Sequence, residues 1–197
     1  MMRSKSFLVV VVVVASLKFF APLPTYGEPR GSMSTIHVLN TTLLPRWYVT
    51  ESLRRTGLRL KVDYKWTLPV TKCTRERYPT IYSSAATCYA RLLLRRRKGL
   101  TLVIAPPFYL SSGQRAIGGV SVGSCNPTGF AIIFYDWHYS RKILKTIVAH
   151  ELGHLLGAKH DNRLPVSYMN ENAIPYYPTT YSNKSKKEIW NCLIKMK

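Results

Sequence analysis

His150, Glu151, His154, Gly157 and His160 stand in the order H-E-x-x-H-x-x-G-x-x-H, the one stretch of this chain whose residue types and intervals specify a chemistry. On a helix, His150 and His154 lie one turn apart on the same face, so both imidazoles can address one metal ion. Glu151 stands beside them as a base. Gly157 permits the left-handed conformation that ends a helix, after which the chain can turn back and bring His160 to a third ligand position. Three protein ligands leave a fourth position for water, which is the pattern of a catalytic rather than a structural Zn2+ site. The chemistry implied is hydrolysis: the metal acidifies water and polarises a carbonyl, while Glu151 accepts the water's proton and returns it to the leaving group.

These residues need a helix to carry them and a sheet to hold the helix. Ser140 is the expected N-cap, and Ile143, Leu144, Ile147, Val148 and Leu155 recur at helical spacing, leaving the histidines on the neighbouring stripe. Upstream, Thr35 to Asn40 alternates as a strand. A helix or turn is expected near Thr50 to Arg55. Leu58 to Tyr64 reads as a second strand with Leu58, Leu60 and Val62 on one face. Ser83 or Ser84 begins a helical pattern through Leu94 that Gly99 ends. The apolar run Leu100 to Ala105 reads as a buried central strand, and Gly129 to Tyr135 as the strand leading into the metal-binding helix. The class expected is therefore mixed α/β.

At the N-terminus, Arg3 and Lys5 precede an apolar run from Phe7 to Leu17, and Thr25-Tyr26-Gly27 supplies small residues before Glu28. That reads as a secretory signal over 1–27, because Lys18, Pro22 and Pro24 interrupt the run short of the roughly 18 apolar residues of a membrane span. The remaining residues, 28–197, are expected to form one domain, with almost no room for an inhibitory propeptide before the first strand. Four cysteines, Cys73, Cys88, Cys125 and Cys192, suit two disulfides in an oxidising compartment, with three pairings open. Asn40-Thr41-Thr42 and Asn183-Lys184-Ser185 are glycosylation sequons. The charge is strongly basic. Removal of the signal leaves 26 basic against 9 acidic residues, or +17. The basic residues cluster at Arg54-Arg55 with Arg59, Lys61 and Lys65, at Arg91 with Arg95-Arg96-Arg97-Lys98, and at Lys184, Lys186 and Lys187. In an exported protein that field suits sulfated glycans or other polyanions rather than nucleic acid, and a merely solvated basic surface is the equal alternative.

The histidine pattern, together with Met169 in Ser167-Tyr168-Met169-Asn170 nine residues after His160, resembles the metzincin clan of zinc proteases. Asp161, directly after the third histidine, resembles the reprolysin or adamalysin type within that clan, the family of venom metalloproteinases and shedding proteases. Ile117-Gly118-Gly119-Val120-Ser121 with Cys125 is similar to that family's edge strand and following cysteine, and Trp190-Asn191-Cys192 to its C-terminal helix. The resemblance implies a zincin fold: a twisted, mostly parallel sheet, an active-site helix and a small irregular C-terminal subdomain. It implies zinc on His150, His154 and His160, Glu151 as catalytic base, and Met169 in a turn beneath the metal. Substrate is then expected along Ile117, Gly118, Gly119 and Val120, paired backbone to backbone, with 169–177 lining the pocket past the cut bond. It also favours Cys125 with Cys192, which leaves Cys73 with Cys88. The chain departs from the family in lacking a cysteine at Ser167, in a shorter first helix, and in having Glu171 where some metzincins place an additional tyrosine ligand. The expectation is a secreted zinc endopeptidase acting on extracellular proteins, and the competing reading is a weakly catalytic scaffold that binds a polyanion or a protein.

Overall fold

A computed structural model describes residues 34–67, 99–106, 108–109, 115–116, 118–163, 166–172 and 176–196. The expected signal, the helix through 85–94, Arg95 to Lys98, Cys73, Cys88 and Ile117 lie outside them.

Five strands form one sheet: β1 (Ser34–Asn40), β2 (Leu60–Trp66), β3 (Leu100–Ala105), β6 (Gly118–Val122) and β7 (Phe130–Phe134), in the order β2-β1-β3-β7-β6. All neighbours are parallel except β6, which runs antiparallel to β7 along one edge. The short strands β4 (Phe108–Tyr109) and β5 (Arg115–Ala116) pair with each other. The sequence LTLVIA becomes the middle strand, buried at every position, and FAIIF beside it is likewise buried throughout. Parallel pairing explains these unbroken apolar runs, since such strands are covered on both faces and need no polar alternation.

Helix α1 (Arg46–Arg54) makes the crossover from β1 to β2. It begins four residues before the expected helix near Thr50. Pro45 in extended conformation precedes it, and Val49, Ser52 and Leu53 bury the i, i+3, i+4 face that drives it. The second strand starts at Leu60 and runs to Trp66, with Leu58, Leu60, Val62 and Tyr64 on the face packed against the core. Helix α2 (Arg141–Leu155) packs against β6, β7 and α1, and Leu144, Ile147, Val148, Leu152 and Leu155 supply its buried face. Helix α3 (Asn183–Lys195) follows the irregular stretch after α2 and is capped by Ser182, whose hydroxyl accepts from Ser185 N. No described helix is long and apolar enough to cross a membrane.

The first of the two sequons is closed off by burial. Asn40 is fully buried: its Nδ2 donates to Leu44 O and to Tyr64 Oη, both at 2.6 Å, and its Oδ1 accepts from Thr42 N and Oγ1. The first sequon is therefore a structural polar knot, and a glycan on it is incompatible with this fold. Asn183, in the other sequon, is exposed at the start of α3.

Candidate metal centre

Helix α2 starts where its cap dictates, with Ser140 Oγ accepting from Ile143 N at 3.3 Å, and its last two turns present His150 and His154 together. Past Leu155 the chain reverses at Gly157, whose φ of +89° is a left-handed value that residues with a Cβ rarely adopt. The strap that follows carries His160 back over the helix end. The three Nε2 atoms converge, at 3.1 Å between His150 and His154, 2.9 Å between His154 and His160, and 3.2 Å between His150 and His160.

The partners of the other ring nitrogens decide what these contacts are. His150 Nδ1 lies 2.7 Å from Tyr168 O, His154 Nδ1 lies 2.9 Å from Ala158 O, and His160 Nδ1 lies 2.9 Å from Glu171 Oε1. Carbonyls and carboxylates only accept, so Nδ1 carries the proton in each ring and every Nε2 offers a bare lone pair. Three lone pairs aimed at one point repel unless a cation sits among them. Tetrahedral zinc, with bonds of about 2.0–2.1 Å, separates its nitrogen ligands by about 3.4 Å, close to the spacing here. Burial lowers the pKa of His150 to about 4 and shifts His154 the same way, so both rings are in the neutral form that ligation requires. The group fits a three-nitrogen zinc site.

Glu151 is buried beneath the edge strand. Ser121 Oγ lies 2.8 Å from Glu151 Oε2 and 2.8 Å from its main-chain oxygen, which fixes the carboxylate against β6. A Cβ on Gly119 would come within 2.5 Å of Glu151 Cγ and of Ile132 O. This glycine thus makes room for the base. Burial pushes the Glu151 carboxyl up to about 7, against the lowering effect of the Ser121 hydrogen bond. A carboxylate poised there can take a proton near neutral pH and give it back.

Met169 is fully buried and lies directly against Gly153, where a side chain would collide with its sulfur. Its turn is stitched to both ligand-bearing segments, because Tyr168 O receives His150 and Met169 O accepts from Asp161 N at 2.9 Å. Asn170 is buried as well, while Glu171, Asn172, Tyr176 and Tyr177 are exposed. Gly118, Val120 and Ser121 lie half-buried on β6, whose outer edge carries no further strand among the described residues. Cys125 and Cys192 form the disulfide that the resemblance favoured, with Cα atoms 5.3 Å apart.

Several residues to which the sequence assigned no part in holding the site prove to hold it. Asp161 is buried, accepts from Arg163 Nε at 2.8 Å and from Ser182 Oγ at 2.7 Å, and these bonds hold its carboxyl far below the ordinary range. Ser182 is also the cap of α3, so the strap and the helix share one hydroxyl. Glu188 of α3 accepts from Lys159 N at 3.0 Å, and Tyr181 Oη donates to Ala149 O at 2.6 Å behind α2. Asn162 clamps Glu171, accepting from its backbone N at 3.0 Å and donating to its Oε2 at 3.3 Å. Of the basic clusters, Arg54 and Arg55 share the Glu51 carboxylate, which they hold at a pKa of about 2.

Residues 91–161 match a family described as metallo-peptidase family M12B, reprolysin-like. No curated protein matches the chain in sequence. Among solved structures, the archaemetzincin from Archaeoglobus fulgidus in complex with malonate is similar at 17% identity and a TM-score of 0.55, over 78% of this chain and 99% of that one. The archaemetzincin from Methanopyrus kandleri is similar at 15% identity and a TM-score of 0.59, over 84% and 98%. The fold is therefore of the metzincin type, and the family match over the histidine segment, set on that fold, supports a metzincin-type zinc metallopeptidase.

Proposed function

We propose that this protein is a secreted zinc endopeptidase that cleaves extracellular proteins. The single observation that carries the reading is the convergence of three Nε2 lone pairs beside a buried carboxylate poised near neutral pH. His150, His154 and His160 would hold the zinc, which when bound supplies the acidity of water and the polarisation of the scissile carbonyl. Glu151 Oε accepts the proton of the attacking water and donates it to the leaving amine. Ser121 keeps that carboxylate in place during both transfers. Substrate lies extended along the outer edge of β6, over Gly118, Gly119 and Val120, and 169–172 with Tyr176 and Tyr177 bounds the pocket past the cut bond. Assignment to the reprolysin type rests on Asp161 and on the family match. Export rests on the 1–27 pattern and on a disulfide that suits an oxidising compartment.

The test is turnover of a denatured protein by the purified chain, with and without chelator, beside Glu151→Ala. That variant should keep zinc and lower hydrolysis at least about 100-fold, since general-base catalysis supplies about 100- to 10,000-fold. Near-normal cleavage would reject the mechanism. Chelator-resistant cleavage would reject the metal.

A further inference from the structure

Helix α2 carries the metal ligands on its last two turns, while its first turns border a different cleft. A cavity of ≈ 320 Å³ lies between α1, the start of α2 and residues 177–179. Its walls are aromatic and cationic. Trp47 and Tyr48 come from α1, Arg141, Lys142 and Lys145 from α2, and Tyr177 closes the third side. The cations lie on the rings: the Arg141 guanidinium is 5.0 Å from the Trp47 ring and 5.6 Å from that of Tyr48, and the Lys142 ammonium is 5.7 Å from the Tyr177 ring.

The charge of this cleft is not balanced from within. Glu51, the one carboxylate in its walls, is already held by Arg54 and Arg55. Arg141, Lys142 and Lys145 have no carboxylate partner among the described residues. They also occupy the end of α2 where the helix dipole is positive, and its first turn contains no acidic residue. Arg141 and Lys145, four positions apart, repel as well. Like charge concentrated there destabilises the helix end, and an anion in the cleft would reverse that effect. A guanidinium held over an indole, 5.0 Å from the Trp47 ring, keeps its donor fork for a planar or tetrahedral oxyanion. The volume is at the small end of ligand sites, too small for a folded partner and sufficient for a ring with one substituent.

We propose that this cleft binds a sugar residue carrying a sulfate or phosphate ester, with the oxyanion among Arg141, Lys142 and Lys145 and the ring against Trp47. Apart from Tyr177, at the end of the stretch assigned to the substrate pocket, its lining shares no residue with the metal centre, and binding does not depend on hydrolysis. The experiment is calorimetric titration of the full secreted chain with glucose 6-sulfate, glucose 6-phosphate, glucose and sodium sulfate. At least one ester should saturate a single site, and the tighter of the two identifies the source. Glucose and sodium sulfate should each bind at least about tenfold more weakly, because each supplies only half of the contacts. Arg141→Gln with Lys142→Gln, both exposed positions, should weaken ester binding at least about tenfold, since charge-assisted bonds contribute about 1.5–3 kcal/mol each. Trp47→Ala should weaken it too, at an unchanged melting temperature. Lys61→Gln with Lys65→Gln removes the same charge from β2 and should leave binding unchanged. Equal weakening by that control pair, binding without saturation, or sodium sulfate binding as tightly as the esters would each overturn the proposal.

Discussion

Two halves of the metal centre are built by different means. His150 and His154 belong to a helix that a capping serine starts and an apolar stripe buries, so their positions follow from local sequence. His160 belongs to a strap without regular structure, and its place depends on contacts made from far away. Ser182 holds Asp161, Glu188 holds the backbone at Lys159, and the Cys125–Cys192 bridge packs on Gly157, so α3 acts as the brace of the third ligand. A regular element specifies itself, while an irregular one must be specified by its neighbours. Damage to α3 should accordingly disable the metal site while leaving α2 intact.

The largest expected effect tests that brace directly. Replacing Cys125 and Cys192 together by serine opens a loop of sequence separation 67 and should lower stability by about 2–5 kcal/mol in denaturant unfolding. Zinc affinity should fall with it. Unchanged zinc affinity in the folded variant would break the comparison, because the strap would then hold itself. A smaller effect comes from Glu171→Ala, which removes the acceptor of His160 Nδ1 and should weaken zinc binding about 10- to 100-fold in competition with a chelating dye. Glu171→Gln, whose amide oxygen still accepts, should lie nearer the lower figure. If both variants bind zinc like the parent, His160 needs no orienting partner.

On the helix side, Ser121→Ala removes the bond that opposes the burial-driven rise of Glu151. The base works only when deprotonated, so a higher pKa means that activity is lost earlier as pH falls. The acidic limb of the pH–rate profile should move up by about one unit, the size expected for one hydrogen bond to a charged group. A limb that stays in place would mean that Ser121 serves the backbone oxygen alone. The smallest change is Tyr168→Phe. Tyr168 Oη is the buried side-chain polar atom without a partner among the described residues, and deleting it should be neutral or stabilise by up to about 1 kcal/mol in thermal unfolding. Because Tyr168 meets His150 through its main-chain oxygen, zinc affinity should not move.

What could be read from sequence divides along the same line. The helix ligands, the base, the central strand over Leu100 to Ala105 and the glycine turn are encoded by spacing and periodicity, which survive in a linear string. Ser121, Glu171, Ser182 and Glu188 act through side-chain bonds across 30, 11, 21 and 29 positions. Such bonds leave no period, and a serine or glutamate that makes one looks like any surface residue. Asn40 shows the converse. Its sequon is a local pattern with a ready meaning, yet the residue is consumed by the core, and only its burial reveals this. The start of helix α1 is hidden from the sequence for a related reason, since it is set by Pro45 and by packing rather than by a capping side chain.

The partners of the three Nδ1 atoms bear on how such a centre can vary by inheritance. Tyr168 and Ala158 orient His150 and His154 through carbonyl oxygens, which every amino acid possesses, so codon changes at those positions leave the acceptors standing. Glu171 orients His160 through a side chain, and a single nucleotide change can shorten it, neutralise it or reverse its charge. Selection acting on the strength or pH range of the metal site therefore has one adjustable screw in its inner circle of contacts, placed on the exposed side where a change disturbs no core.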